Sequence, residues 1–110
     1  MGVNSIEHGP YLDEDPDLLE MMADKNIFFT PTFSVFVHHA GKGTPHGRAI
    51  ASAFREHQVR SLQMPIEAGF EVAGGSDDGG WVHGNNVHEI RCLVEAGITP
   101  MHAIMAATGT

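Results

Sequence analysis

At 110 residues the chain holds one domain at most, and 42% apolar with 18% charged residues and no low-complexity tract is a globular composition. A formal net charge of −8 with six scattered Lys and Arg excludes a phosphate-binding surface for nucleic acid, and the sequence offers neither a membrane-length apolar run nor a basic amphipathic helix. Cys92 is the single cysteine, so no internal disulfide is possible; a reducing, cytoplasmic setting is expected.

Three strand patterns alternate with helical ones. Residues 3–7 read as the first strand, and His8-Gly9-Pro10 as its exit. Asp13-Glu14-Asp15-Pro16 then reads as a helix start, because acids suit the positive end of the helix dipole and Pro suits the first turn. Leu18, Leu19, Met21, Met22 and Ala23 form the apolar stripe of that helix. Residues 27–32 are aromatic and β-branched and predict the second strand, with Pro31 tolerated near its end. Residues 33–47, with three Gly, Pro45 and three His, are expected to form an irregular functional loop or lid.

A helix is predicted over 48–68, stopped by Gly69, with Pro65 a point of kinking. Residues 71–75 predict the third strand, and 77–84 the loop after it. Asn85 or Asn86 is placed to cap a helix running through Ala96, with Gly97 as its stop. Thr99-Pro100 opens a last helix ending near Thr108. This alternation implies an α/β fold with parallel strands and right-handed crossovers.

The chemistry concentrates at two strand exits. Asp77, in Gly75-Ser76-Asp77-Asp78-Gly79-Gly80, is an acid at the mouth of a glycine-rich loop; His8 is an imidazole at the exit of the first strand. A His and an Asp at the carboxyl ends of two strands are the parts of a metal site with an attached base. The same residues also suit humbler tasks: Asp77 an Asx turn or cap, His8 a backbone hydrogen bond. Asp78 reads as turn chemistry. His83 is placed to contact substrate or to orient Asp77, Trp81 to wall a pocket or cover an apolar patch, and Glu7 to support His8 or to point to the opposite face. His88-Glu89-Ile90-Arg91-Cys92 lacks the third ligand of a zinc helix, and His38, His39 and His46 lie in the expected loop, a poor metal cage.

At Ser5-Ile6-Glu7-His8-Gly9 and Gly75-Ser76-Asp77 the chain resembles the amidohydrolase superfamily, in particular the branch of imidazolonepropionase-like enzymes and metal-dependent Xaa-Pro dipeptidases. The resemblance continues through Pro31-Thr32, His83-Gly84-Asn85, Glu89, Glu95-Ala96-Gly97-Ile98-Thr99-Pro100 and Ala106-Ala107-Thr108. Ser76 and Asp78 depart from the commoner Thr and Ala of that pattern.

The resemblance implies that residues 1–110 are the C-terminal part of a (β/α)8 TIM barrel, covering strands six to eight with their helices. It makes His8 the sixth-strand metal ligand, and Asp77 the eighth-strand ligand and catalytic base. It also implies one or two divalent ions, zinc above all, in the intact parent. The activity implied is hydrolysis of C–N bonds in a small amide, cyclic amide or dipeptide. With two of the six ligand positions in this chain, the expectation is an incomplete and inactive piece, completed by the N-terminal barrel portion or by a second copy. The other expectation is a non-catalytic half-barrel that assembles with a partner chain.

Overall fold

The computed structural model describes residues 2–67, 69 and 71–109. Ala68, expected to close the long helix, and Phe70, at the head of the third strand's apolar run, lie outside the described residues.

Two short parallel strands, β1 (Ser5–Glu7) and β2 (Phe28–Thr30), pair in register Ser5 to Phe28, Ile6 to Phe29 and Glu7 to Thr30. The third strand is reduced to a single parallel bridge, Val72 to Phe29, on the other side of β2. It is made by Phe29 N–H to Glu71 O at 3.1 Å and Ala73 N–H to Phe29 O at 2.9 Å. All three segments run the same way, with β2 between the other two. The chain is thus mixed α/β and mostly helical around a small parallel sheet.

Between β1 and β2 lie a 3-10 turn (Leu12–Glu14) and α1 (Pro16–Asp24). The helix start is the one the acids predict. Pro16 takes the first position, and the Asp15 carboxylate accepts from Leu18 N–H at 3.1 Å. After β2 come α2 (Phe33–Lys42) and α3 (Pro45–Glu67). The expected irregular loop over 33–47 is therefore mostly helix. Its second half carries the same start signal as the last helix: Thr44 Oγ1 accepts from Gly47 N–H at 3.1 Å, with Pro45 next in line. The chain ends in α4 (Val87–Glu95) and α5 (Pro100–Thr108), the latter capped by Thr99, whose side chain accepts from His102 N–H.

Phe29, Phe33, Met22, Leu62 and Leu93 are fully buried and join β2 to α1, α2, α3 and α4 in one core. At the other extreme, α5 shows Met101, Ile104 and Met105 to solvent. The accessible surface, 6512 Å², exceeds by roughly a tenth the value of about 5,900 Å² expected of a folded monomer of this mass.

Candidate functional site

The carboxyl ends of the three parallel segments lie on one edge of the sheet. They deliver His8 from β1, Pro31-Thr32 from β2, and Ser76-Asp77 from the third segment.

His8 is firmly held. Its N–H continues the ladder by donating to Thr30 O at 2.9 Å, and its backbone then turns into the left-handed region at φ 69°. Gly9 follows at φ 41°, where an added Cβ would lie 2.7 Å from a Leu12 side-chain carbon and 2.9 Å from the Phe29 ring. The imidazole reaches across to the β2 exit: Nδ1 lies 2.7 Å from Thr32 Oγ1, and the ring meets Phe36 edge-on at 6.3 Å between centroids.

Thr32 is itself unusual. A β-branched residue at φ 51°, ψ 48° stores on the order of 1–3 kcal/mol of backbone strain. The two residues after it are held by Glu89, a carboxylate of α4 only 2% exposed. It accepts from Phe33 N–H at 2.9 Å, Ser34 N–H at 2.7 Å and Ser34 Oγ–H at 2.6 Å. Thr32 gives α2 no side-chain cap, so Glu89 caps that helix from a distance and sits at its positive end. Burial pushes the Glu89 carboxyl above its usual range, against the pull of the Ser34 and Phe33 donors.

Asp77 is exposed and stands free at its own left-handed turn, φ 52°. Its carbonyl accepts from Gly80 N–H at 3.2 Å, and among the described residues no hydrogen bond or ion pair engages its carboxylate. The loop beside it is organised by its neighbours. Ser76 Oγ donates to Asp78 Oδ1 at 2.8 Å, Trp81 Nε1 donates to Ser76 O at 2.7 Å, and Gly84 N–H reaches Asp78 Oδ2 at 3.3 Å. Asp78 does the turn chemistry the sequence assigns it.

His83, 77% exposed, lies 3.9 Å from Asp78 rather than bonding to Asp77. Trp81 packs against His38 and His88, and His39 Nε2 lies 3.0 Å from Gly80 O. Glu7 accepts from Ser5 Oγ at 2.6 Å, two residues back on the same strand face, instead of supporting His8.

Other titratable groups serve different ends. The Cys92 thiol, 3.6 Å from His88 Nε2, is pushed up to about 11 by burial and the nearby carboxylates of Glu89 and Glu95. It stays a thiol at neutral pH and is a poor metal ligand. Among the described residues no group of three or more His, Cys, Asp or Glu side chains converges as a metal site. A cleft of about 330 Å³ lies behind the rim, lined by Gly74, Gly75, Ser76, Glu89, Ile90 and Thr108 among others; neither His8 nor Asp77 lines it.

Sequence reasoning missed one cluster, around Asp13. Its carboxylate, 4% exposed, accepts from Arg60 Nε at 2.9 Å and Ser61 Oγ at 3.1 Å, and lies 3.0 Å from His57 Nδ1. Burial works to raise its pKa, but the Arg60, His57 and Ser61 bonds together outweigh it and hold the carboxyl below its usual range. Asp13 was readable only as a helix-start acid because its partners lie more than forty residues on, in α3.

The fold is similar to that of A. niger ochratoxinase, with a TM-score of 0.81 and 32% identity over 97% of this chain and 24% of that one. It is likewise similar to a Xaa-Pro dipeptidase solved with methionine in its active site, with a TM-score of 0.82 and 31% identity over 97% of this chain and 27% of that one. The chain spans about a quarter of the length of these two proteins. Both are hydrolytic enzymes, and they support the amidohydrolase-type resemblance. No family model and no curated protein matches the chain. No helix among the described residues is long and apolar enough to cross a membrane.

Proposed function

We propose that residues 1–110 are strands six to eight, with their helices, of a (β/α)8 metal-dependent amidohydrolase that cleaves C–N bonds in small amides, cyclic amides or dipeptides. What supports this reading is a fixed imidazole at the exit of β1 and, after the parallel third segment, a carboxylate with no partner among the described residues, in a chain aligned over 97% of its length with two hydrolases. The donor set fits a zinc-type ion. His8 has Nδ1 occupied by Thr32, which leaves Nε2 as the donor a metal would take, and Asp77 would supply an oxygen.

Bound there, one or two such ions would supply Lewis acidity for the carbonyl and make water a nucleophile near neutral pH. Asp77 takes the proton of the attacking water on its carboxylate and passes it to the leaving nitrogen. His83 contacts substrate from the same loop. The remaining ligands come from the N-terminal barrel portion or from a second copy, and the cell compartment is the cytoplasm. A second reading, a non-catalytic half-barrel covered by a partner chain, draws on the apolar face that α5 exposes.

The test is an assay of the 110-residue chain and of the longer parent with Zn or Mn, against a panel of dipeptides and cyclic amides. The parent turns substrate over, its Asp77→Asn variant does not, and the 110 residues alone are inactive, since catalytic zinc sites use about three protein ligands. Full activity of the Asp77→Asn parent sinks the mechanism. Metal-dependent turnover by the short chain sinks the claim that it is incomplete.

A further inference from the structure

We propose that Thr32 is a positioning residue for His8: it fixes the imidazole as the tautomer protonated at Nδ1, so that Nε2 carries the lone pair, and Glu89 holds Thr32 in the conformation that allows this. The consequence for a metal rests on the function proposed above; the tautomer itself rests on geometry alone.

A threonine hydroxyl has one proton to give and can accept from others. Thr32 Oγ1 lies 2.8 Å from Pro31 O, where its proton is donated, and 2.7 Å from His8 Nδ1. Pro31 is fully buried, and its carbonyl finds this hydroxyl as a partner. With the hydroxyl proton spent on Pro31, the contact to His8 is favourable only if Nδ1 bears a hydrogen and donates it. The opposite tautomer would set two acceptors against each other, either at Nδ1 or at Pro31 O.

This short approach to Pro31 exists because Thr32 sits in the left-handed region. That strain is over-determined by three hydrogen bonds to Glu89 on the two residues that follow. The chain of cause runs from α4, through the start of α2, to the ring of His8.

The experiment is a long-range hydrogen–nitrogen NMR spectrum of the isotope-labelled full chain at about pH 8.5, roughly two units above the ordinary imidazole pKa, with His8 assigned by its loss in His8→Gln. The expected wild-type spectrum shows His8 almost wholly as the Nδ1–H form. Thr32→Val turns it into a mixture, while Thr32→Ser, which keeps the hydroxyl, restores it. An Nε2–H form in the wild type overturns the proposal, and so does a spectrum unchanged in Thr32→Val. If the valine variant does not fold, the wild-type tautomer decides alone.

Zinc titration of the same variants carried in the longer parent, where the remaining ligands are present, separates the two readings. Where His8 Nε2 responds to zinc, Thr32→Val weakens the affinity about 10–100-fold and Thr32→Ser recovers it; unaltered affinity in Thr32→Val overturns the positioning role. An Nδ1–H tautomer with a His8 signal blind to zinc supports the hydrogen-bond assignment and refutes the metal role of His8.

Discussion

The two strand exits that share the sheet edge are built in opposite ways. His8 is pinned by a ladder hydrogen bond, a side-chain bond to Thr32 and an aromatic edge from Phe36. Among the described residues Asp77 keeps only a backbone bond at its turn, while Ser76, Asp78 and Trp81 hold the surrounding loop. A ligand gains from being fixed in one orientation before metal arrives, since the ordering is then complete. A proton-transferring group needs free acceptor oxygens. The difference between the exits is the one that the proposed division of labour between His8 and Asp77 calls for.

The strongest way to break the comparison is to remove what holds the first exit. Glu89→Ala leaves two backbone N–H groups and the Ser34 hydroxyl without their buried acceptor, a loss of about 3–5 kcal/mol at 1–3 kcal/mol for each orphaned group, with some relief from water. Urea unfolding measures it. Glu89→Gln, which keeps one acceptor oxygen, should lose clearly less. Equal losses would mean that Glu89 acts only as filler.

Next in size is Asp13, which ties the turn after β1 to α3. Asp13→Ala should cost about 2–4 kcal/mol, since it strips part-buried bonds from Arg60, His57 and Ser61. The sign of its pH dependence follows from a lowered pKa. Its contribution is complete above the ordinary carboxylate range and is lost as pH falls through the depressed folded value. Glu89, raised by burial, works the other way: its contribution is present in acid and is lost as pH rises through its folded value. Asp13→Asn should therefore flatten the acid limb of the stability curve, whereas Glu89→Gln should leave that limb steep. Identical acid limbs in wild type and Asp13→Asn would remove Asp13 from the account.

A smaller effect tests the turn itself. Gly9→Ala puts a methyl into Leu12 and Phe29 at a positive φ and should cost about 1–3 kcal/mol. It should also shift the His8 NMR signals while leaving those of Asp77 in place. Movement of both would show that the exits are coupled rather than separately built.

These features differ in how readable they are from sequence. Asp15-Pro16 and Thr99-Pro100 announce their helices because a cap is a local device, complete within four residues. Thr44-Pro45 carried the same signal, obscured by the glycines and histidines around it. The start of α2 was not readable at all, because its cap, Glu89, comes from 55 residues away and Thr32 offers nothing local. His8 and Asp77 stood out by their place after apolar runs. Thr32 as partner of His8 did not, since only parallel pairing of β1 with β2 brings residues 24 apart into contact. The third strand was over-read: among the described residues a single bridge to Phe29 is all that forms, and Gly74 N–H goes to Ala106 O in α5 instead.

The smallest expected change in stability falls on the residue with the largest expected role. Asp77→Asn should leave the urea midpoint nearly unmoved, within about 0.5 kcal/mol, because the carboxylate is exposed and engages no partner among the described residues. Asn also tolerates the left-handed φ of 52° as Asp does, so the turn survives and the loop bonds of Ser76, Asp78 and Trp81 are untouched. In the parent, the same change should lower turnover by at least 10²–10⁴-fold, the usual worth of a positioned base, with most of the metal retained on the other ligands. His8→Ala gives the contrasting pattern: occupancy and rate fall together, and metal added in excess recovers part of the rate. Measured side by side by metal analysis and kinetics, the pair separates the exits. If Asp77→Asn loses metal as readily as His8→Ala, both exits are ligands first, and the assignment of Asp77 as the base fails.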